Sequence, residues 1–115
     1  MARLNYLELP VRDVPAIKAF YSSAFGWSFT DFGADYAATM SGYTDIGLNG
    51  SPEHSTALLL PAIEVDVLEA AEVSVRGAGG EITRAIFAFP GGRRFHFRDP
   101  AGHELGVGQG DPEES

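Results

Sequence analysis

The first strand that the sequence predicts carries two side chains suited to bind a ligand or to move a proton. Along residues 4–11, alternation places Tyr6 and Glu8 on one side and the more apolar Leu7 and Leu9 on the other. A carboxylate buried on such a face has a raised pKa, so it can act as a general acid or base. We predict that Tyr6 and Glu8 contact a ligand; the alternative for Glu8 is pairing with an arginine.

A second set of candidates lies near the C-terminal end of the sequence. Phe95 and Phe97 alternate with His96 and Arg98, and phenylalanine suits the layer beneath a helix. That alternation directs His96 and Arg98 to the opposite side, where we predict that they contact a ligand together with Glu104. The alternatives are an ordinary exposed face for His96 and Arg98 and a solvated strand end for Glu104.

We expect the other two histidines to be a solvated loop residue and a structural turn residue. His54 lies in a loop of turn-forming residues, where a solvated side chain is the usual outcome. His103 follows Gly102 in a predicted turn, and we expect it to fix that turn through a backbone hydrogen bond.

Composition limits the partners of the chain. Sixteen acidic residues against eight basic ones give a formal net charge of −8 over 115 residues. This balance disfavours nucleic acids and anionic membranes, because both bind through an excess of Lys and Arg. Cysteine is absent, which excludes disulfides and thiolate metal sites. No apolar run is long enough to span a bilayer, so we expect a single cytoplasmic domain.

The sequence repeats itself at an offset of 54 residues, which sets Gly26 against Gly80. In each copy a strand is followed by a helix and a glycine stop. In the first copy Asp13 is the predicted N-cap and Gly26 the left-handed exit, whereas in the second the cap is assigned to Asp66. The predicted apolar stripes are Ile17, Phe20, Tyr21 and Ala24 in the first helix and Leu68, Ala71 and Val75 in the second.

Short strands follow each helix, so both copies have the order β-α-β-β-β and the fold class is α+β. The modules span about residues 3–49 and 57–109, joined by a linker at about 50–56. Two such modules side by side would form a concave trough. Glycine within a strand marks a close approach or a cavity wall, and residues 87–92 are predicted as an apolar turn. The predicted strands are residues 4–11, 28–32, 36–40, 43–48, 57–65, 81–86, 93–98 and 104–109.

Two segments resemble the vicinal oxygen chelate superfamily, which includes glyoxalase I, bleomycin-resistance proteins, fosfomycin-resistance proteins and extradiol dioxygenases. They are LPVRDVPAIKAFYSSAFGW near the start of the chain and FRDPAGHELGV near its end. The resemblance spans residues 3–109 and is more specific for the fold than for the chemistry. It implies two βαβββ modules that form an open barrel-like trough, and commonly a homodimer.

In that superfamily His and Glu side chains on strands bind a divalent metal. The corresponding positions here are Tyr6, Gly47, Leu60 and Gly106. Leucine and glycine offer no donor atom, and a phenol alone does not hold a dication. Because these residues depart from the family pattern, we predict neither a bound metal nor another cofactor.

Three functions stay open. The preferred hypothesis is a metal-free protein, similar to glyoxalase and bleomycin-resistance proteins, that binds or sequesters a small, partly apolar ligand in a sheet-lined cavity. The alternative is a metal-dependent lyase, isomerase or dioxygenase of the glyoxalase I type, whose metal ligands lie elsewhere or come from a dimer partner. The third is a metal-free enzyme that uses Glu8 or His96 as its base.

Overall fold

The computed structural model describes residues 2–53, 55–89 and 91–111. The order of its helices and strands is βαβββ twice over, which confirms the predicted α+β fold. The elements are β1 (Arg3–Pro10), α1 (Val14–Phe25), β2 (Phe29–Asp31), β3 (Tyr36–Thr39), β4 (Asp45–Asn49), β5 (Leu60–Glu64), α2 (Leu68–Gly77), β6 (Glu81–Phe89), β7 (Gly92–Arg98) and β8 (Glu104–Gly110). They form two compact units, which we call the N-terminal unit (residues 5–60) and the C-terminal unit (residues 2–4 and the described residues from 61 onward). The trough stays a prediction.

The N-terminal unit packs α1 against strands in the order β2-β3-β4-β1. β1 and β4 are parallel, with Glu8 opposite Gly47, and the other neighbours are antiparallel. Leu9 and Val11 face the helix side, as alternation predicted, which leaves Glu8 on the other face of the sheet. The buried core is Val14, Ala37 and Leu48, with Leu9, Val11, Ile17, Tyr21 and Phe29 packed against it.

The predicted limits of α1 are confirmed, whereas two predicted members of its apolar stripe, Phe20 and Ala24, are wrong because both are exposed. The Asp13 side chain accepts a hydrogen bond from the Ala16 N–H at 3.0 Å, and Gly26 ends the helix with a φ of 72°. Phe20, however, is 59% exposed. It lies about 120° around the helix axis from the buried Val14, so its ring falls outside the stripe that faces the sheet.

The C-terminal unit repeats the arrangement with α2 and strands in the order β5-β8-β7-β6. β5 and β8 are parallel, with Ala62 opposite Gly106. The predicted stripe of α2 and the predicted packing of Phe95 and Phe97 beneath it are confirmed. The buried core is Leu68, Phe95 and Val107, with Val65, Ala71, Val75, Ile82, Ile86 and Phe97 packed against it.

The predicted N-cap of α2, Asp66, is wrong by one position. The helix begins at Leu68, and its N-cap is Val67, whose side chain makes no capping hydrogen bond. The Leu68 N–H donates to Oε1 of Gln109 at 2.8 Å. A side chain from β8 therefore satisfies one of the N–H groups that a helix start leaves without an intrahelical acceptor.

The hairpin between β6 and β7 corrects the turn predicted at residues 87–92. β6 extends through Phe89, and Phe87 lies opposite Arg94 across the hairpin. Residues 87–89 are strand because their side chains find cross-strand neighbours, which a local pattern does not reveal. β5 is also shorter than predicted, since it begins at Leu60.

The turn before β8 is held by Asp99. Its Oδ1 accepts hydrogen bonds from the N–H groups of Ala101 and His103, both at 2.9 Å. The predicted backbone hydrogen bond of His103 is therefore confirmed, and its effect is to lower the pKa of the Asp99 carboxyl. The position predicted for His54 lies outside the described residues. Neither described helix is long and apolar enough to cross a membrane.

Candidate functional site

Four polar side chains lie on the face of the N-terminal sheet opposite to α1. We call Tyr6, Glu8, Tyr36 and Asn49 the Glu8 cluster. Glu8 is only 1% exposed. The Tyr36 hydroxyl donates to Glu8 Oε1 at 3.0 Å, and Asn49 Nδ2 donates to Oε2 at 3.3 Å. Each oxygen of the buried carboxylate therefore accepts a hydrogen bond, which offsets the cost of removing it from water.

The phenols of Tyr36 and Tyr6 continue the hydrogen-bonded network that begins at the Glu8 carboxylate. The hydroxyl groups of Tyr6 and Tyr36 are hydrogen-bonded to each other. Both rings are half-buried, in contrast to Glu8. Burial, followed by the negative charge of Glu8, raises the pKa of Tyr36 far above its usual value, so this phenol keeps its proton.

Gly47 makes the approach of the two phenols possible. It lies opposite Glu8 in the β1–β4 register. A Cβ at this position would lie 1.9 Å from the Tyr6 hydroxyl oxygen and 2.3 Å from that of Tyr36. Any side chain at residue 47 would therefore displace both hydroxyl groups, and the close approach is the reason for glycine in this strand.

Tyr36 and Asn49 belong to the cluster although no sequence pattern marked them as site residues. The β3–β4 register places them opposite each other, and the β1–β4 register places Asn49 beside Pro10. One signal was available, because alternation from Gly47 puts Asn49 on the same face of β4. Tyr36 could be assigned only from the pairing of β3 with β4.

The C-terminal unit brings two other predicted site residues together. His96 is 3% exposed, and its Nδ1 lies 4.0 Å from Glu104 Oε2. The Thr83 hydroxyl donates to the same carboxylate oxygen at 2.7 Å, which orients Glu104. The rings of His96 and Phe87 meet in an edge-to-face arrangement, with 5.6 Å between their centroids. A buried histidine beside an oriented carboxylate is a combination that can hold or accept a proton.

Two arginines of β7 lie in different surroundings. Arg98 pairs with Glu81 at 2.5 Å, and both side chains are exposed, so the structure does not bring Arg98 to His96. Arg94, which no pattern singled out, is nearly buried, and its guanidinium lies 5.3 Å from the centre of the Phe87 ring. The predicted ligand contacts of Tyr6, Glu8, His96, Arg98 and Glu104 stay predictions.

The positions that the resemblance assigns to metal ligands do not fit a metal in the N-terminal unit. The Tyr6 hydroxyl is hydrogen-bonded to the Tyr36 hydroxyl, and both hydroxyl oxygens occupy the space beside Gly47. Leu60 and Gly106 have no donor atom in their side chains. Across residues 2–53, 55–89 and 91–111, no group of three or more His, Cys, Asp or Glu side chains is placed to hold an ion.

Comparison with known proteins identifies the family. The sequence profile of the Glyoxalase/Bleomycin resistance protein/Dioxygenase superfamily matches residues 3–107. The protein named "Putative glyoxylase CFP32" from Mycobacterium bovis is 30% identical over 116 aligned residues, which cover 91% of this chain and 44% of that protein. The chain thus spans less than half the length of this curated relative.

Solved structures share the fold at low sequence identity. The methylmalonyl-CoA epimerase from Mycobacterium tuberculosis has a TM-score of 0.75 at 13% identity, covering 95% of this chain and 88% of that one. The Mn(II)-bound glyoxalase from Novosphingobium aromaticivorans has a TM-score of 0.67 at 22% identity, covering 100% of this chain and 43% of that one. The profile match and the shared fold agree: the chain belongs to the glyoxalase/bleomycin resistance protein/dioxygenase superfamily.

Proposed function

We propose that this chain binds a small, partly apolar molecule at the Glu8 cluster and does so without a bound metal. One observation carries the proposal: around Gly47, where the family resemblance expects a metal ligand, the structure has two hydrogen-bonded phenols over a buried carboxylate. Such a constellation replaces coordination to an ion by hydrogen bonds to a ligand. A few fixed polar groups among apolar ones are what small-molecule sites usually contain.

The exposure of the side chains indicates which members of the cluster contact a ligand directly. Tyr6 and Tyr36 are half-buried, so a ligand meets the phenols, while Glu8 acts through Tyr36. Ala38 pairs with Gly47, which pairs with Glu8. Gly47 has no side chain, and the hydroxyl groups of the two phenols take up the space over it.

The first experiment compares ligand binding by the wild type and by Glu8→Gln. A thermal-shift panel of metabolites and antibiotics identifies a ligand, and its affinity is then measured for both proteins by calorimetry. Glutamine keeps the shape of Glu8 and removes the charge, so a hydrogen-bond-donating ligand should lose roughly 1–3 kcal/mol of binding free energy.

Glu64→Gln is the matched control for that experiment. Glu64 is exposed and pairs with Arg3 at 3.8 Å on the surface of the C-terminal unit. Its replacement should leave ligand affinity unchanged. If Glu8→Gln and the wild type bind every ligand of the panel equally well, the Glu8 cluster is not the site.

The second experiment measures bound metal. Elemental analysis of gently purified protein should find well under one zinc, nickel, iron or manganese ion per chain, because the aligned positions lack donor atoms. Close to one ion per chain, lost together with activity on chelation, would favour the metal-dependent lyase, isomerase or dioxygenase instead.

The assembly and the location of the protein are further proposals. We propose a homodimer, as the family resemblance implies, and light scattering at micromolar protein concentration tests it. A monomer would contradict this part of the proposal. The cytoplasmic location and the exclusion of nucleic acids and membranes as partners stay predictions from composition.

A further inference from the structure

We propose that an apolar groove beside α2 is a second binding site, and that it takes a neutral molecule with one aromatic ring, such as a small phenol. The groove has a volume of about 430 Å³, which is within the range of small-molecule sites. All of its lining residues belong to the C-terminal unit. The site therefore shares no residue with the Glu8 cluster of the N-terminal unit and does not depend on the proposed function.

The lining of the groove changes from a buried floor to an exposed rim. Val107 is only 2% exposed and forms the floor. The polar residues of the lining, Asp66 and Ser74, are exposed and so belong to the rim. An apolar molecule in the groove gains the free energy of removing apolar surface from water, whereas a charge against this floor would lose its hydration. The half-buried walls are Ile63, Val65, Ala71, Val75 and Phe97.

The N-terminal unit shows what fills the equivalent space. At the offset of 54 residues, Ala71 and Val75 correspond to Ile17 and Tyr21, and both of these larger side chains pack against the core of their unit. The exchange to alanine and valine removes about eight non-hydrogen atoms, and removed volume leaves a space when the backbone keeps its place. p-Cresol, which is the side chain of tyrosine without its backbone, has this size.

Larger residues elsewhere in the C-terminal core do not close the groove. Phe95 and Leu68 are the large members of that core, and both are fully buried. Neither of them lines the groove. Their volume therefore lies deeper beneath α2, and the space beside Ala71 and Val75 stays open.

Phe97 gives the groove an aromatic wall. Its side chain packs against the core on the helix side of the sheet. In the N-terminal unit an aromatic neighbour also contacts the equivalent ring, because Tyr21 stacks on Trp27 with 5.6 Å between their centroids. A ring bound in the groove can pack on Phe97, and such a pair favours an aromatic ring over a saturated one by roughly three- to tenfold.

The site is tested by NMR with p-cresol as the probe and with alanine and valine methyl groups labelled with ¹³C. In the wild type, the methyl resonances of Ala71, Val75 and Val107 should shift in a saturable manner, with a dissociation constant on the order of 0.1–1 mM. Nuclear Overhauser effects from the p-cresol ring protons to the Ala71 and Val75 methyl groups should locate the probe. 4-Methylcyclohexanol, its saturated counterpart, should bind roughly three- to tenfold more weakly.

Ala71→Ile fills the groove with the side chain that α1 has at the equivalent position. This variant should weaken the binding of p-cresol by roughly tenfold or more, because the ring loses its place against the floor. Val73→Ile is the matched control on the same helix, since Val73 is 70% exposed and does not line the groove. It should keep the dissociation constant of the wild type.

Each outcome decides a part of the proposal. Saturable shifts that Ala71→Ile loses and Val73→Ile keeps support the site. Absence of shifts at the three methyl groups up to about 10 mM p-cresol overturns it, and so does equal binding to folded Ala71→Ile. Equal binding of 4-methylcyclohexanol overturns the preference for an aromatic ring.

Two further results remain decisive if Ala71→Ile does not fold or if the protein associates. Nuclear Overhauser effects from p-cresol to Ala71 and Val75 in the wild type support the site, whereas effects only to other residues overturn it. Groove resonances that move with protein concentration and do not respond to p-cresol would show that a second copy of the chain covers the groove, which also overturns the small-molecule site. None of these results bears on ligand binding at the Glu8 cluster.

Discussion

The two units have the same pairing registers between strands but carry different kinds of side chain at the matching positions. Glu8 faces Gly47 in the N-terminal unit, and Ala62 faces Gly106 at the equivalent place in the C-terminal unit. The next row repeats the contrast, since Tyr36 and Asn49 pair where the other unit has Arg94 and Gly108. Duplication therefore preserved the backbone ladder. Among the described residues, only the N-terminal copy carries a buried carboxylate with a phenolic donor on that face.

The cores of the units reach similar packing by exchanging large and small side chains. Ala37 lies opposite Leu48 in one sheet, and Phe95 lies opposite Val107 in the other. The bulk that the N-terminal sheet lacks comes from its helix. In the C-terminal unit the sheet supplies this side-chain volume itself. Packing therefore constrains the total volume of the side chains that face each other more than it constrains any single residue.

In the C-terminal unit, the side chains of the sheet do not fully replace the volume that the helix supplies in the N-terminal unit. An apolar groove of about 430 Å³ lies beside α2, and Ala71 and Val75 contribute to its lining. At the offset of 54 residues, these positions correspond to Ile17 and Tyr21, which pack against the core of the N-terminal unit. The larger side chains fill in one copy the space that is open in the other.

Replacing Phe95 by Ala should have the largest effect on stability. Its side chain is fully buried against Leu68 and Val107, so its removal leaves a cavity that α2 cannot close. The free energy of unfolding should fall by about 3–5 kcal/mol, measured by urea titration. Phe20→Ala, at an exposed site on α1, should cost about 1 kcal/mol or less. Similar losses for the two variants would show that Phe95 is not the centre of its unit.

Replacing Gly47 by Ala should break the Glu8 cluster. The new Cβ would overlap the Tyr6 and Tyr36 hydroxyls, so the hydrogen bond to Glu8 is lost and a buried acceptor is left without its donor. We expect a loss of about 1–3 kcal/mol in the free energy of unfolding.

Gly108→Ala is the matched control for Gly47→Ala on the equivalent strand. The atoms nearest to a Cβ there are Arg93 O at 3.7 Å and Arg94 Cβ at 3.8 Å, which is ordinary contact. This variant should change stability by less than about 0.5 kcal/mol. Equal effects of the two alanines would show that strand glycine itself, and not the phenol pair, sets the cost at Gly47.

The two helices differ in which side chain accepts a hydrogen bond from the N–H groups of their first turn. Asp13 caps α1 locally, whereas Gln109 reaches the Leu68 N–H of α2 from β8. Asp13→Ala and Gln109→Ala should each lower the free energy of unfolding by about 1 kcal/mol. Asp66→Ala, at the residue first predicted as the cap, should not share this loss. A loss for Asp66→Ala equal to that for Gln109→Ala would contradict the assignment.

Filling the groove beside α2 should have the smallest effect, with the opposite sign. Ala71→Ile copies Ile17 of the other unit and should raise the free energy of unfolding by about 0.5–1 kcal/mol. Val73→Ile adds a methylene at an exposed position of the same helix and should give no such gain. Destabilisation by Ala71→Ile would mean that Phe95 already takes up the volume that Ile17 fills in the N-terminal unit.

The sequence by itself determined the repeat, the limits of α1 and the faces of the strands. The Asp13 cap, the stripe of α2 and the burial of Phe95 follow from spacings within one element, and such local patterns survive in the folded chain. Alternation also separated Glu8 from Leu9 correctly. The family resemblance was specific for the same reason, because it rests on local segments such as the turn held by Asp99.

Only the tertiary structure decided which side chains meet. Glu8 binds the Tyr36 hydroxyl across 28 residues and the Asn49 amide across 41, and Leu68 meets Gln109 across another 41. These contacts depend on the register between strands and on the seating of a helix on its sheet, which are set by packing of the whole unit. A shift of one residue in β4 would turn Asn49 to the other face, although no local pattern in the sequence would change.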